Sequence, residues 1–334
     1  MKIVVPVSRT RTAVVDAAPP SVGDGEVMVR VCASGICGSD RRMLQRYGGE
    51  ATCAWGHEIV GVVERTGSEV DGALLGRHVV LRTSRPCADC DECRHERSDK
   101  CRRWQRHLFN GFAEYVAIPA GLVGTLPLPI VPEYVLVEPI YVAMDLVRRA
   151  GLMSGETAMI VGAGPLGLLV LRLLRAAGTE VVVFAKRERS AQWCLAQRLG
   201  GRVRDAEELA HPGLPAERVA TAIVTAPYEV LPRVIPWVAY GGTVVFNGFG
   251  DMTTPTIDMA ELHTRRISLV PSFPHPQSSF AAAIDYVRDH AAALAPFVSH
   301  RVPIRTGAEA FDIVSSPGRG AVKVVMVGDE EKAA

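Results

Sequence analysis

The segment TAMIVGAGPLGLLVLRLLRAA, residues 157–177, constrains the fold more tightly than any other part of the chain. Ala158 to Val161 supplies the continuous apolar run of a buried strand, and Leu166 to Ala177 has the length and spacing of a helix. Gly162, Gly164 and Gly167 lie between them in G-x-G-x-x-G order, the strand–turn–helix context that the fingerprint requires. In that setting Gly162 permits the tight turn, Gly164 lets backbone approach a pyrophosphate, and Gly167 lets helix pack on strand. The helix start, at Pro165 and Leu166, presents the positive end of its dipole to an anion. These five residues are the candidate dinucleotide contacts; the alternative is a glycine turn that binds nothing.

Strands over Val181 to Phe184, Ala222 to Thr225 and Thr243 to Asn247 alternate with helices over Ala191 to Leu199 and Val230 to Val238, the latter with Pro232 and Pro236 near its ends. Such alternation spells a parallel sheet with crossover helices. Upstream, from residue 2 to about 125, short apolar runs such as Val27 to Val31, Ile59 to Val63 and His78 to Leu81 are broken by Gly, Pro and Asp, with no long helical periodicity. A helix over Glu138 to Ala150 leads into the α/β part. Beyond it come an amphipathic helix, Ser279 to Leu294, and a helix followed by a strand within Phe311 to Val327. The expectation is an α/β fold in which a doubly wound parallel sheet (146–275) is inserted into a β-rich domain made from both chain ends (1–145 and 276–334). A length of 334 residues suits two such domains.

A dinucleotide site with NAD presents an acidic side chain about 20 residues past the turn, for the ribose hydroxyls. Here the strand VVVF runs into Ala185, Lys186, Arg187, Glu188 and Arg189. The cationic pair Lys186 and Arg187 suits a 2′-phosphate, which favours NADP(H) over NAD(H). Glu188 as an offset acid, or a merely solvated basic loop, stays open.

CADCDECRHERSDKC places Cys87, Cys90, Cys93 and Cys101 in one short loop. Four thiolates can close a tetrahedron around zinc, which saturates the metal and makes the site structural. An iron–sulfur cluster or unrelated thiols are the alternatives. A second set, Cys37, Ser39, Asp40, His57 and Glu58, stands in GICGSD and WGHE. It reads either as an open zinc site, if the fold brings Cys37 and His57 together, or as a buried cysteine and a satisfied core histidine.

Charge excludes some partners. With 37 basic against 36 acidic side chains the net charge is +1, so nothing draws the chain to nucleic acid or an anionic membrane, and a small molecule is the expected partner. The N-terminus, MKIVVPVSRT, lacks the pattern of a signal peptide, and no apolar stretch makes a clean membrane span. Clustered cysteines in so long a chain read as metal ligands or catalytic thiols of a reducing, cytoplasmic compartment.

Together GICGSD, GHEIVGVVERTGSEV, the four-cysteine loop, NGFAEYVAIP, VEP at Val137 to Pro139, VGAGPLGLL, AFDIV and VKVVMV resemble the zinc-dependent medium-chain dehydrogenase/reductase family, in its alcohol and sorbitol dehydrogenase group, over nearly the whole chain. The resemblance implies a Rossmann domain in a GroES-like catalytic domain, two zinc ions per chain, and a homodimer or homotetramer. It implies a catalytic zinc on Cys37 and His57, with Glu58 and Glu138 as the nearby carboxylates. Asp40 would orient His57, and Ser39 would meet the reacting oxygen and start the proton path. Glu138, where the alcohol dehydrogenase branch carries a cysteine, favours the polyol branch.

The implied reaction is hydride transfer between NADP(H) or NAD(H) and a secondary alcohol or ketone of a polyol, sugar or cyclitol. A step in aminocyclitol or aminosugar metabolism is the alternative, and a non-catalytic nucleotide-binding protein on the same fold is the alternative of another class. Arg42 departs from the family, standing five after Cys37 where many relatives place a proton-relay histidine; guanidinium cannot accept that proton. The interval from Cys101 to Gly111 is also short, and it brings Trp104, His107 and Phe109 near the expected substrate mouth. Arg42, Tyr47, Phe109 and Phe273 are the candidate pocket residues, with Arg41 beside them.

Overall fold

A computed structural model describes residues 1–48, 55–107, 109–128, 130–153, 155–210, 218–247, 254–273 and 278–328. The chain divides into two compact units, Met1–Glu138 with Pro276–Ala334, and Pro139–His275.

The first unit opens with the antiparallel ladder β1 (Lys2–Pro6) and β2 (Thr12–Asp16). β3 (Glu26–Gly35), EVMVRVCASG, is buried over most of its length because strands pair with it on both sides. It leads into α1 (Gly38–Tyr47), which is followed by β4 (Glu58–Thr66) and β5 (His78–Leu81). The two-residue strands β6 (Ser84–Arg85) and β7 (Gln105–Arg106) pair and bracket the cysteine loop, with α2 (Asp91–Arg94) inside it. β8 (Tyr115–Pro119) and β9 (Val123–Thr125) complete this half, and α3 (Val137–Ala150) carries the chain on into the second unit, which begins at Pro139.

The second unit is β10 (Thr157–Val161), α4 (Pro165–Ala176), β11 (Glu180–Ala185), α5 (Ser190–Arg198), β12 (Arg202–Asp205), β13 (Val219–Val224), α6 (Leu231–Val234), β14 (Val238–Phe246), α7 (Met259–Arg265) and β15 (Ser268–Pro271). Its sheet runs β12-β11-β10-β13-β14-β15 with every pair parallel. This is the doubly wound order, and the strand sequence reverses between β10 and β13. Four of the five β10 residues are buried, as a strand covered on both faces requires. α4 buries Gly167 to Leu171 and Leu174, and Pro165 opens it at a position where its missing N–H costs nothing.

The tail, α8 (Ser278–Leu294), β16 (Val298–Pro303), α9 (Ala308–Ser315) and β17 (Lys323–Val327), returns to the first unit. β17 pairs antiparallel with β3, Val325 opposite Gly35, in a sheet of order β16-β17-β3-β4-β5-β9 with β8 also on β3. Trp55, Phe112 and Phe311 meet in its core with ring centroids 4.9–5.4 Å apart. Thus a residue from the last strand stands beside residues of the first hundred.

Several elements depart from the sequence reading. The helix expected over Val230 to Val238 is cut to α6, because Pro236 has no N–H to continue it, and Val238 already opens β14. α7 lies where no helix is expected, with only Leu262 of its seven residues buried. α1 lies where no helical periodicity is legible, because only Asp40 and Leu44 of its ten residues are buried. β12, RVRD, is an edge strand, and its alternate exposed arginines hide it. β15 and β16 are short strands with mixed exposure. Among the described residues no helix is long and apolar enough to cross a membrane.

Candidate active site

Cys37 caps α1, and Asp40 locks that cap to the next segment. The Cys37 N–H donates to Asp40 Oδ2 at 2.7 Å and the Gly56 N–H donates to Oδ1 at 3.0 Å. Asp40 is buried, and its Oδ1 lies 3.7 Å from His57 Nδ1, a charge contact longer than a hydrogen bond. One carboxylate therefore ties together the turn carrying Cys37 and the turn carrying His57. Burial raises the Asp40 pKa, against the opposing pull of His57 and the two N–H groups.

Ligand atoms of Cys37, His57 and Glu58 all lie within 4.8 Å of one another. Burial disfavours a charged His57 imidazole, yet Asp40, Cys37 and Glu138 outweigh it and hold the pKa well above the usual histidine value. The cluster thus favours positive charge at its centre, and a thiol, an imidazole and a carboxylate are the donor set of a zinc site with room for a further ligand. Glu138, in the first turn of α3, acts electrostatically on both His57 and Lys323.

Lys323 is the residue the sequence reading missed. It sits at the start of β17, 2% exposed, with Nζ 2.6 Å from both Glu58 oxygens and 3.2 Å from the Ile36 carbonyl. Burial works against its charge, but Glu58, Cys37 and Glu138 more than offset this and raise its pKa. The signal was a lone lysine in AVKVVMV: a buried charge among apolar neighbours demands a partner.

Each of the other pocket candidates has its own surroundings. Ser39 is half-buried in the first turn of α1. Arg42 is also half-buried, without a hydrogen-bond or ion-pair partner among the described residues, and its Nη1 reaches within 3.9 Å of where a Gly38 Cβ would stand. Tyr47 is exposed beneath the Arg46 guanidinium. Phe109 packs half-buried on the first unit's core, with the His107 ring 6.2 Å away. Trp104 keeps a buried Nε1 without a hydrogen-bond partner among the described residues. Phe273 is exposed in the second unit.

In the cysteine loop the sulfurs of Cys87, Cys90, Cys93 and Cys101 all lie within 4.8 Å of one another, and four of their six separations are 3.5–3.9 Å. Zinc–sulfur bonds of about 2.3 Å in a tetrahedron require S···S separations of about 3.8 Å. The Cys93 N–H, ahead of burial, brings the Cys90 thiol down to about 7, while burial first and then its sulfur neighbours push Cys93 up to about 12. Four thiolates so close need a cation between them. Ala88 and Glu96 of this loop hold positive φ, 64° and 59°, strain that persists only where something over-determines the loop.

In the second unit the glycine turn lies at the reversal point of the sheet. Gly162 has φ 106°, and the Thr225 hydroxyl beyond β13 donates to its carbonyl at 3.0 Å. A Cβ on Gly167 would stand 1.9 Å from that carbonyl oxygen, whereas a Cβ on Gly164 would meet nothing within 4 Å. Two glycines thus close the turn and the third leaves the open space that a pyrophosphate against the α4 N-terminus needs. Lys186 and Arg187 follow β11, both exposed. Lys186 lies 3.7 Å from Glu188, and Arg187 Nε donates to Asp205 Oδ2 at 2.5 Å.

Residues 23–129 match the alcohol dehydrogenase GroES-like domain. The chain is 30% identical over 313 residues to D-altritol 5-dehydrogenase of Agrobacterium fabrum, covering 89% of this chain and 91% of that protein. It is 27% identical over 310 residues to L-galactonate-5-dehydrogenase of Escherichia coli, covering 88% and 89%. A crystal structure from Sinorhizobium meliloti 1021 bound to NADP superposes with a TM-score of 0.80 at 27% identity, covering 98% of each chain.

Proposed function

The chain belongs to the zinc-dependent medium-chain dehydrogenase/reductase family, and from that premise we propose that it interconverts a secondary alcohol and a ketone of a polyol, sugar or cyclitol, with NADP(H) as the favoured hydride carrier. The observation that carries this reading is the convergence of Cys37, His57 and Glu58 within 4.8 Å beside buried Asp40. Cys37, His57, Glu58 and Glu138 would hold zinc, which when bound supplies Lewis-acid polarisation of the substrate oxygen. A second zinc on Cys87, Cys90, Cys93 and Cys101 would be structural.

Asp40 keeps Cys37 and His57 in register, so the ligand geometry does not have to be assembled at each turnover. Ser39 is placed in the same turn to exchange the hydroxyl proton of the substrate. Arg42 cannot accept that proton, so its path to solvent does not run through this position. Gly162, Gly164, Pro165, Leu166 and Gly167 cradle the pyrophosphate, while Lys186 and Arg187 meet the ribose phosphate through charge-assisted bonds. The names of two relatives, for altritol and galactonate, support a polyhydroxylated substrate.

The test is a panel of polyols, ketoses, inososes and amino sugars, each followed with NADP(H) and NAD(H) by absorbance of the reduced nicotinamide. Turnover of at least one polyhydroxylated secondary alcohol or its ketone, more efficient with NADP(H), is expected. Turnover of simple alkanols alone, or no turnover by protein carrying its full zinc, contradicts the reading.

A further inference from the structure

An acid stands beside the end of β11, on the neighbouring strand. β11 and β12 pair in parallel, and the last register pair sets Ala185 opposite Asp205. Ala185 closes the strand after which an NAD site presents its acid. Asp205 does not stand free for a ribose: its Oδ2 accepts from Arg187 Nε at 2.5 Å and its Oδ1 accepts the Glu207 N–H at 3.1 Å. It is also mostly covered, 17% exposed, whereas Arg187 is 74% exposed.

From this we infer that Asp205 is the positioning residue that makes Arg187 a receptor for the 2′-phosphate, and that the choice of NADP(H) is set by the Asp205–Arg187 pair and not by charge at the loop in general. The inference rests on the cofactor preference proposed above. The bond to Asp205 uses Nε, on one edge of the guanidinium, and no hydrogen bond engages either Nη among the described residues. The outer edge of the fork stays open for two parallel bonds to a phosphate. Trp193, on α5, holds the guanidinium from its face, with Cζ 5.3 Å from the ring centroid. An exposed arginine side chain otherwise loses considerable rotamer freedom when it binds; here two contacts hold it beforehand. Lys186, exposed and 3.7 Å from Glu188, has no such support among the described residues.

Asp205→Asn isolates the effect. Asparagine can keep the Oδ1 acceptor for Glu207 and so preserve the turn, but it places an amide donor where Oδ2 received Arg187. Dissociation constants for NADPH and NADH, read from the fluorescence of the reduced nicotinamide, should show NADPH weakened about five- to tenfold and NADH changed less than about twofold. Asp205→Glu should restore part of the preference. Arg187→Ala should weaken NADPH at least about tenfold, and adding Asp205→Asn should weaken it no further, because Asp205 acts through Arg187.

If wild type prefers NADPH and Asp205→Asn keeps that preference, or if Asp205→Asn still weakens NADPH in the Arg187→Ala background, the positioning role is wrong while the cofactor reading stands. If wild type binds NADH more tightly, the cofactor reading fails and takes this inference with it. Equal weakening of both cofactors identifies a fold defect and overturns the positioning role.

Discussion

Replacing Lys323 with methionine tests how the first and last parts of the chain are held together at the metal site. The Lys323 and Glu58 side chains are 2% and 1% exposed and share two contacts of 2.6 Å. Removing one partner of a buried pair leaves an uncompensated charge and costs about 3–5 kcal/mol, whereas replacing both with apolar groups of like volume is often near neutral. Lys323→Met also leaves the Ile36 carbonyl without its 3.2 Å donor, which places the cost toward the upper end. For a unit of about 150–250 residues each kcal/mol moves the melting midpoint by roughly 2–4 °C, so a fall of about 6–20 °C is expected.

Glu58→Met alone should behave similarly, and the double variant should regain most of the loss, giving a large favourable coupling in a double-mutant cycle. Differential scanning calorimetry of the whole cycle in a Cys37→Ser background, which lacks the metal that Glu58 would also bind, is the assay. A loss for Lys323→Met within about 0.5 kcal/mol, the range of surface substitutions, would show that the buried pair adds nothing to stability. So would purely additive losses in the double variant.

Cys93→Ser should lower the zinc content by one ion per chain and cost more stability than the ~0.5 kcal/mol of a surface change, read by metal analysis and thermal unfolding. Gly167→Ala places a Cβ 1.9 Å from the Gly162 oxygen and 2.8 Å from Thr225 Oγ1; overpacking of about 1–3 kcal/mol should weaken both nicotinamide cofactors in titration and leave zinc content intact. Ser39→Ala should lower kcat by about 100-fold or more with cofactor binding unchanged, the loss expected of a proton-transfer group; an unchanged kcat would remove Ser39 from the proton path.

The four-cysteine loop and the glycine turn were legible because each is local: four cysteines within one loop, three glycines within six residues. Cys37 and His57 stand in separate segments, so the sequence left them either a metal site or two unrelated core residues, and only the fold groups them with Glu58. The parallel sheet was legible because its inner strands are apolar throughout, as in TAMIV. α1 was not, since SDRRMLQRY presents mostly polar residues to its surroundings and the helix is fixed by Asp40 bonding back to Cys37 and across to Gly56. Edge strand β12 was hidden by Arg202 and Arg204, and with it Asp205, the acid beside Arg187. Lys323 escaped for a different reason: its partner Glu58 is 265 positions away, a distance over which a sequence pattern carries no signal but a strand pairing does. Arg187 was visible as a cation, but only register reveals what holds it.

Cys37 and His57 are proposed to hold a catalytic metal distinct from the one in the cysteine loop. Metal analysis of wild type and Cys37→Ser, with NADPH affinity and turnover measured on the same samples, tests it most directly. Two zinc ions per chain in wild type, one in Cys37→Ser, NADPH binding retained and turnover lost are the expected results. Two zinc ions in the variant, or substantial turnover with only one, would show that Cys37 holds no catalytic metal.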